Sequence, residues 1–309
     1  MNRSRVLLVV GSAGAAALAV LLRRRGARPG RFVDRRWPVN FAHRGASARA
    51  PENTMEAFGL AAASGARGLE TDVHMTLDGV VVAIHDDTVD RTTDGTGPVR
   101  EMTLAELKGL DAGYRFTPDG GATYPYRGRG VRVPEIREVF RKFPNCVVNI
   151  EIKEEQPGVE EALLRVIEEE GVGDRALVVS GRARPVASFR KLAGGRVRTG
   201  ASAREIAAFH YLSRLRLAGL LRPPFDALQV PVEYRGTPVV TPRFLEAAHG
   251  LGVRVDVWTI DEPGEMRRLL DLGADTIMTN RPEVLEEVLR GGPNPNQGGS
   301  AGSETGMPA

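Results

Sequence analysis

The chain has 309 residues, 42% apolar and 26% charged, a composition that excludes a disordered or fibrous protein and suffices for one large core. The net charge is +3, yet residues 1–38 hold nine arginines against one acid, Asp34, a net +8 that leaves −5 for the remainder. The basic character thus belongs to the N-terminal segment and argues against nucleic-acid binding by the body, and the single cysteine, Cys146, excludes an intramolecular disulfide.

Residues 6–22 form a 17-residue uncharged run between Arg3 and Arg5 on one side and Arg23–Arg25 on the other. At ~1.5 Å per residue this is at the short end of a bilayer span. Leu21-Leu22 followed by three arginines reads as a stop-transfer signal, whereas a cleaved signal peptide wants a small-residue site there. The expectation is one uncleaved N-terminal hydrophobic helix, with export after signal-peptide cleavage as the alternative. Seven of the nine arginines follow the run, which places the folded domain of a single-pass, membrane-anchored protein in the cytoplasm. Residues 1–38 are read as anchor and basic linker, 39–290 as one folded domain, and the Gly/Pro/Ser-rich 291–309 as a disordered tail.

Within the domain, short β-branched runs alternate with longer amphipathic ones. Strands are predicted at 38–43, 68–74, 147–153, 176–180, 196–202, 227–233, 254–260 and 276–280. Helices are predicted at 54–64, 134–143, 158–170, 185–193, 203–218, 241–250, 262–272 and 282–290. Asn53 and Thr241 are the expected caps of two of them, and Pro282 suits a first turn. Eight strand–helix units argue for an α/β chain folded as a TIM (β/α)₈ barrel. After the second strand, 80–87 reads as an extra strand with Asp78-Gly79 as its hairpin turn, and 88–133 is a long insertion. Insertions of that length carry function, here a lid or an apolar lip.

Barrel chemistry sits at the C-terminal ends of strands. Glu70 and Asp72 alternate on the second strand and Glu151 and Lys153 on the third, so each pair projects to one face. Three carboxylates in strands that should be buried are costly unless a cation neutralises them. Oxygen-only ligands point to a hard divalent ion, Mg²⁺ or Ca²⁺. His43 and His85 suit proton transfer to and from the oxygens of a phosphodiester, and Arg44 and Lys153 suit contacts to its phosphate. His74 is expected to point away from Asp72, and with His210 and His249 to be structural; Cys146 is expected to be a buried small hydrophobe.

The strings HRGASARAPENT (43–54), ETD (70–72), HDDTVDRTTDGTG (85–97) and EIK (151–153) resemble the glycerophosphodiester phosphodiesterases, over about residues 38–290 and least between 180 and 250. The resemblance implies a TIM barrel that hydrolyses glycerophosphodiesters to an alcohol and glycerol 3-phosphate. It implies His43 and His85 as the acid/base pair, Glu70, Asp72 and Glu151 as metal ligands, and Arg44 and Lys153 as phosphate contacts. Trp258 matches the family's pocket-wall tryptophan, with a buried core position as the alternative. Asn280 stands where family members often carry aspartate, with no catalytic consequence expected. Membrane-anchored relatives act as lysophospholipase D enzymes, which makes lysophospholipids the alternative substrates. A non-catalytic phosphodiester-binding barrel is the remaining reading; an amidohydrolase would need an H-x-H pair where the first strand ends in His43 alone.

Overall fold

The computed structural model describes residues 37, 39–153 and 155–291. The uncharged run at 6–22 and the tail from 292 lie outside them. No helix among the described residues is long and apolar enough to cross a membrane.

Eight parallel strands form the barrel: β1 (Asn40–His43), β2 (Gly68–Met75), β4 (Val147–Ile152), β5 (Ala176–Val179), β6 (Arg198–Thr199), β7 (Ala227–Val230), β10 (Arg254–Val257) and β11 (Thr276–Thr279). They pair in the order β6-β5-β4-β2-β1-β11-β10-β7. A parallel bridge between Gly200 and Ala227 joins the two ends and closes the ring. Three short strands lie outside the ring. β3 (Val81–Ala83) pairs antiparallel with β2, as the Asp78-Gly79 turn predicts. β8 (Glu233–Tyr234) and β9 (Thr237–Pro238) form a small hairpin absent from the sequence reading.

The helices are α1 (Met55–Ser64), α2 (Leu104–Gly109), α3 (Ile136–Lys142), α4 (Val159–Glu169), α5 (Ala183–Ala193), α6 (Ala203–Arg214), α7 (Pro242–His249), α8 (Pro263–Leu272) and α9 (Pro282–Leu289). All but α2 were expected. α6 stops four residues early, because Arg216 turns to φ +60° and breaks the ladder. Thr241 caps α7 by accepting from the Phe244 amide at 3.2 Å. Thr54, not Asn53, caps α1; the side chain of Asn53 is used elsewhere.

Strand alternation sorts the core. Leu69, Val73, Val148, Ile150 and Ile152 face the helices and pack with Phe58, Phe140 and Leu163. The intervening residues face the barrel axis. Trp37, Phe41, Leu177, Val179 and Met278 form an apolar cluster of their own. Beside them lies a polar group in which Gln229 bridges Asn149 and Asp256, whose carboxyl is pushed up by burial. The insertion at 88–133 has a small core of its own, Val89, Val99, Leu107, Val131 and Val133 packed on Val82 and Ile84. It is thus an annex welded to β3.

Candidate active site

β1 delivers His43 to the barrel's C-terminal end, and the chain must then turn at once into the loop before α1. Arg44 makes that turn at φ +56° and Gly45 at φ +83°. A Cβ on Gly45 would lie 2.6 Å from the Ala57 carbonyl carbon, so only glycine fits. Asn53 also adopts a left-handed conformation, φ +55°. Arg44 and Asn53 are two of four non-glycine residues in that region among the described residues, and both serve this site.

Glu70 and Asp72 project inward from β2 and Glu151 from β4, where Asp72 and Glu151 are register partners. Each offers an oxygen, and the three lie within 4.8 Å of one another. Glu70 and Asp72 are 4% and 1% exposed. Burial, reinforced by the charges of Asp72 and Glu151, pushes the Glu70 carboxyl well above the usual carboxylate range. Burial works the same way on Asp72, but Lys153 and Arg44 outweigh it and its pKa is lowered. The Arg44 Nε lies 3.1 Å from Asp72, and Lys153 Nζ 3.1 Å from both Asp72 and Glu151. Among the described residues Glu70 receives only the Arg44 backbone amide at 2.9 Å and has His43 Nε2 at 4.0 Å. An all-oxygen cluster carrying more negative charge than its neighbours neutralise fits a hard divalent cation.

The two histidines are held differently. His43 Nδ1 donates to Asn280 Oδ1 at 2.8 Å, and Asn280 in turn donates through Nδ2 to Asp261 at 2.7 Å. Ser47 Oγ donates to the same Asn280 oxygen at 2.8 Å. This assigns the ring proton to Nδ1 and leaves the Nε2 lone pair facing Glu70. Burial lowers the His43 pKa, which favours the neutral ring. His85 Nδ1 donates to the Asp86 carboxylate at 2.6 Å. Asp86 is kept ionised, its pKa lowered to about 2, as hydrogen bonds from Arg91 and His85 outweigh burial. Arg91 also grips Glu52 through two nitrogens at 2.7 and 2.8 Å, and Glu52 accepts from Arg44 at 3.0 Å. One continuous network therefore runs from His85 to Asp72.

The structure brings His43, Arg44, Glu70, Asp72, Glu151 and Lys153 together, and places His85 near enough to Asp72 to favour its ionised form. Trp258 follows β10 at the same barrel end and is 42% exposed, which rules out the core alternative. Two expectations need correction. Asn280 has a consequence for the site, since it fixes the tautomer of His43. His74 does not point away from Asp72, because residues two apart on a strand share a face. It is buried, and its Nε2 donates to the His85 carbonyl at 3.1 Å. The local reading missed Asn53, which donates to Asp72 at 3.0 Å and accepts from Thr71 at 2.8 Å. It also missed the arms Asp261–Asn280 and Glu52–Arg91–Asp86. Their signal was the density of polar residues in PENT and HDDTVDRTT, not any spacing. Cys146 is buried, as expected.

Comparison with known proteins gives the same picture. A family model described as the glycerophosphoryl diester phosphodiesterase family matches residues 43–284. The glycerophosphodiester phosphodiesterase of Caldanaerobacter subterraneus subsp. tengcongensis is 36% identical over 259 residues, which cover 81% of this chain and 97% of that one. The probable glycerophosphodiester phosphodiesterase 2 of Mycobacterium tuberculosis is 31% identical, covering 85% and 95%. Among solved structures, an Oleispira antarctica phosphodiesterase in complex with the product sn-glycerol-3-phosphate is 25% identical, with a TM-score of 0.66 and coverage of 82% and 97%.

Proposed function

Because the chain belongs to the glycerophosphoryl diester phosphodiesterase family, we propose that it hydrolyses glycerophosphodiesters to an alcohol and glycerol 3-phosphate at the mouth of its barrel. The observation that carries this reading is the cluster of Glu70, Asp72 and Glu151 oxygens within 4.8 Å, with the free nitrogen of His43 beside it.

Glu70, Asp72 and Glu151 would hold a divalent cation, Mg²⁺ or Ca²⁺, which would supply Lewis-acid withdrawal of charge from the phosphate. His43, neutral and with Nε2 unprotonated, accepts the proton of the attacking oxygen. His85 gives a proton from Nε2 to the departing alcohol, while Asp86 compensates the charge on the ring. Arg44 and Lys153 bind the phosphate and divide their charge between it and the carboxylates they touch. Trp258 walls the mouth with an exposed indole face. Small water-soluble diesters are the favoured substrates, as the product held by the Oleispira antarctica relative suggests. The chain is membrane-anchored through residues 6–22, with the barrel on the cytoplasmic side.

The test is product analysis by mass spectrometry on a mixed panel of glycerophosphocholine, glycerophosphoinositol and lysophosphatidylcholine, with Mg²⁺ and Ca²⁺ compared. Release of glycerol 3-phosphate from the first two, silenced by EDTA, is expected. Exclusive release of lysophosphatidic acid selects the lipid substrates instead, and turnover in both His43→Ala and His85→Ala overturns the mechanism.

A further inference from the structure

The barrel end opposite the catalytic mouth carries features that hydrolysis does not use. In a (β/α)₈ barrel each helix runs back against its strand, so helices end where the next strands begin. α6 ends there at Arg214, and the chain passes through the short turn Ala218–Leu220 before β7. Tyr211, Leu215, Leu217 and Leu220 stand 64%, 49%, 42% and 62% exposed on this return. Elsewhere the large exposed apolar residues are scattered, as on most surfaces. Arg214, Arg216 and Arg222 are interleaved with them and exposed. Among the described residues none of the three pairs with a carboxylate.

Two further observations distinguish this patch. Arg216 sits just beyond the helix end at φ +60°, a conformation that favours glycine. Of the four non-glycine residues in that region, Arg44 and Asn53 serve the active site, and Arg235 makes the β8–β9 turn beside Gly236. Arg216 makes the turn that ends α6, and its exposed side chain adds to the positive charge of the patch. The patch also borders a cavity of about 1010 Å³ lined by Gly219, Leu221 and Arg222 on one side and by Arg196 and Arg198 on another. The Arg198 guanidinium lies 4.6 Å over the Trp37 ring. Trp37, just ahead of β1, therefore lies at this same end of the barrel.

We propose that this face is a lipid-docking surface, with Tyr211, Leu215, Leu217 and Leu220 entering the interfacial layer of an anionic membrane and Arg214, Arg216 and Arg222 meeting lipid phosphates. Apolar side chains among unpaired arginines match such an interface in both chemistries. The arginines disfavour a second copy of the same face, because an isologous contact would set like charges against each other. The catalytic mouth then points away from the bilayer, into water. The inference rests on the fold and not on the reaction.

The test uses the full chain reconstituted in vesicles of phosphatidylcholine, with or without phosphatidylglycerol. A polarity-sensitive fluorophore is attached at Leu220→Cys or, near the mouth annex, at Tyr124→Cys; the buried Cys146 is left in place. The label at 220 is expected to shift to the blue on phosphatidylglycerol vesicles and the label at 124 to stay aqueous. Adding Arg214→Glu, Arg216→Glu and Arg222→Glu should abolish the shift while turnover of soluble glycerophosphocholine is unchanged. At about fivefold per arginine, docking should weaken by on the order of a hundredfold or more. An aqueous signal at 220 on anionic vesicles overturns the proposal. So does a blue shift at 124, which turns the mouth to the membrane, or a lipid-independent shift at 220 that grows with protein concentration, which assigns the face to contact between copies.

Discussion

At the catalytic mouth Glu70 and Asp72 are almost sealed from water and every charge is tied to another group. At the opposite end Arg214, Arg216 and Arg222 stand in solvent among exposed leucines. The two ends use the same side-chain types under different solvation. Burial makes the mouth's charges strongly interdependent, so that removing one exposes the cost of the others. Exposure makes the far end's charges nearly independent and weak, useful only in sum against a charged surface.

The comparison breaks most sharply at His43 and His85. His43→Ala should lower kcat by about 10²–10⁴-fold, since it removes the proton acceptor, with little change in the thermal midpoint because the ring is partly exposed. Steady-state kinetics beside a melting curve checks both. Next comes the cation. Chelation should end turnover and lower the midpoint, and saturating Mg²⁺ or Ca²⁺ at a hundredfold over Kd should restore about 2.7 kcal/mol.

That stabilisation should depend on pH. The Glu70 carboxyl has a raised folded-state pKa, so its contribution in the metal-free protein is present below the ordinary carboxylate range and is lost as pH rises through the raised value. Asp72, with a lowered pKa, contributes in the opposite sense, and its share is lost on acidification. Metal-free protein should therefore lose the Glu70 share of its stability towards alkaline pH. The divalent cation, which takes the place of the Glu70 proton, should stabilise more there and bind more weakly as pH falls. Calorimetric titration across pH reads this directly, and a pH-independent affinity would contradict it.

Smaller effects sharpen the roles of the supporting residues. Asn280→Asp should raise the His43 pKa by setting a carboxylate against Nδ1, and so move the acid limb of the pH–rate profile to higher pH. Arg91→Ala releases Asp86 and Glu52 together and should cost about tenfold in kcat, a loss of roughly 1.4 kcal/mol. If His85 is the acid, that loss shrinks for substrates whose leaving group departs as a stable anion. Arg216→Gly should leave turnover untouched and stabilise the fold by about 0.5 kcal/mol, as relief of the left-handed backbone exceeds the added chain entropy.

Much of the mouth was legible beforehand. Residues two apart on a strand share a face whatever the fold around them, which paired Glu70 with Asp72 and Glu151 with Lys153. The same rule, applied to residue 74, puts His74 on that face as well. The helix caps were less secure: Asn53 and Thr54 are adjacent and both suited to cap α1, and only the need of Asp72 for a donor decided between them.

The order of elements, the barrel they imply and the phase of each acidic pair follow from chain geometry and hydrophobic period, which act over a few residues. The partner of each histidine, the exposure of Trp258 and the face at which Trp37 meets the barrel were settled by tertiary structure. Asn280 reaches His43 across 237 positions, and Arg91 reaches Glu52 across 39. No local pattern encodes contacts of that span, because closing the ring is what brings their strands side by side.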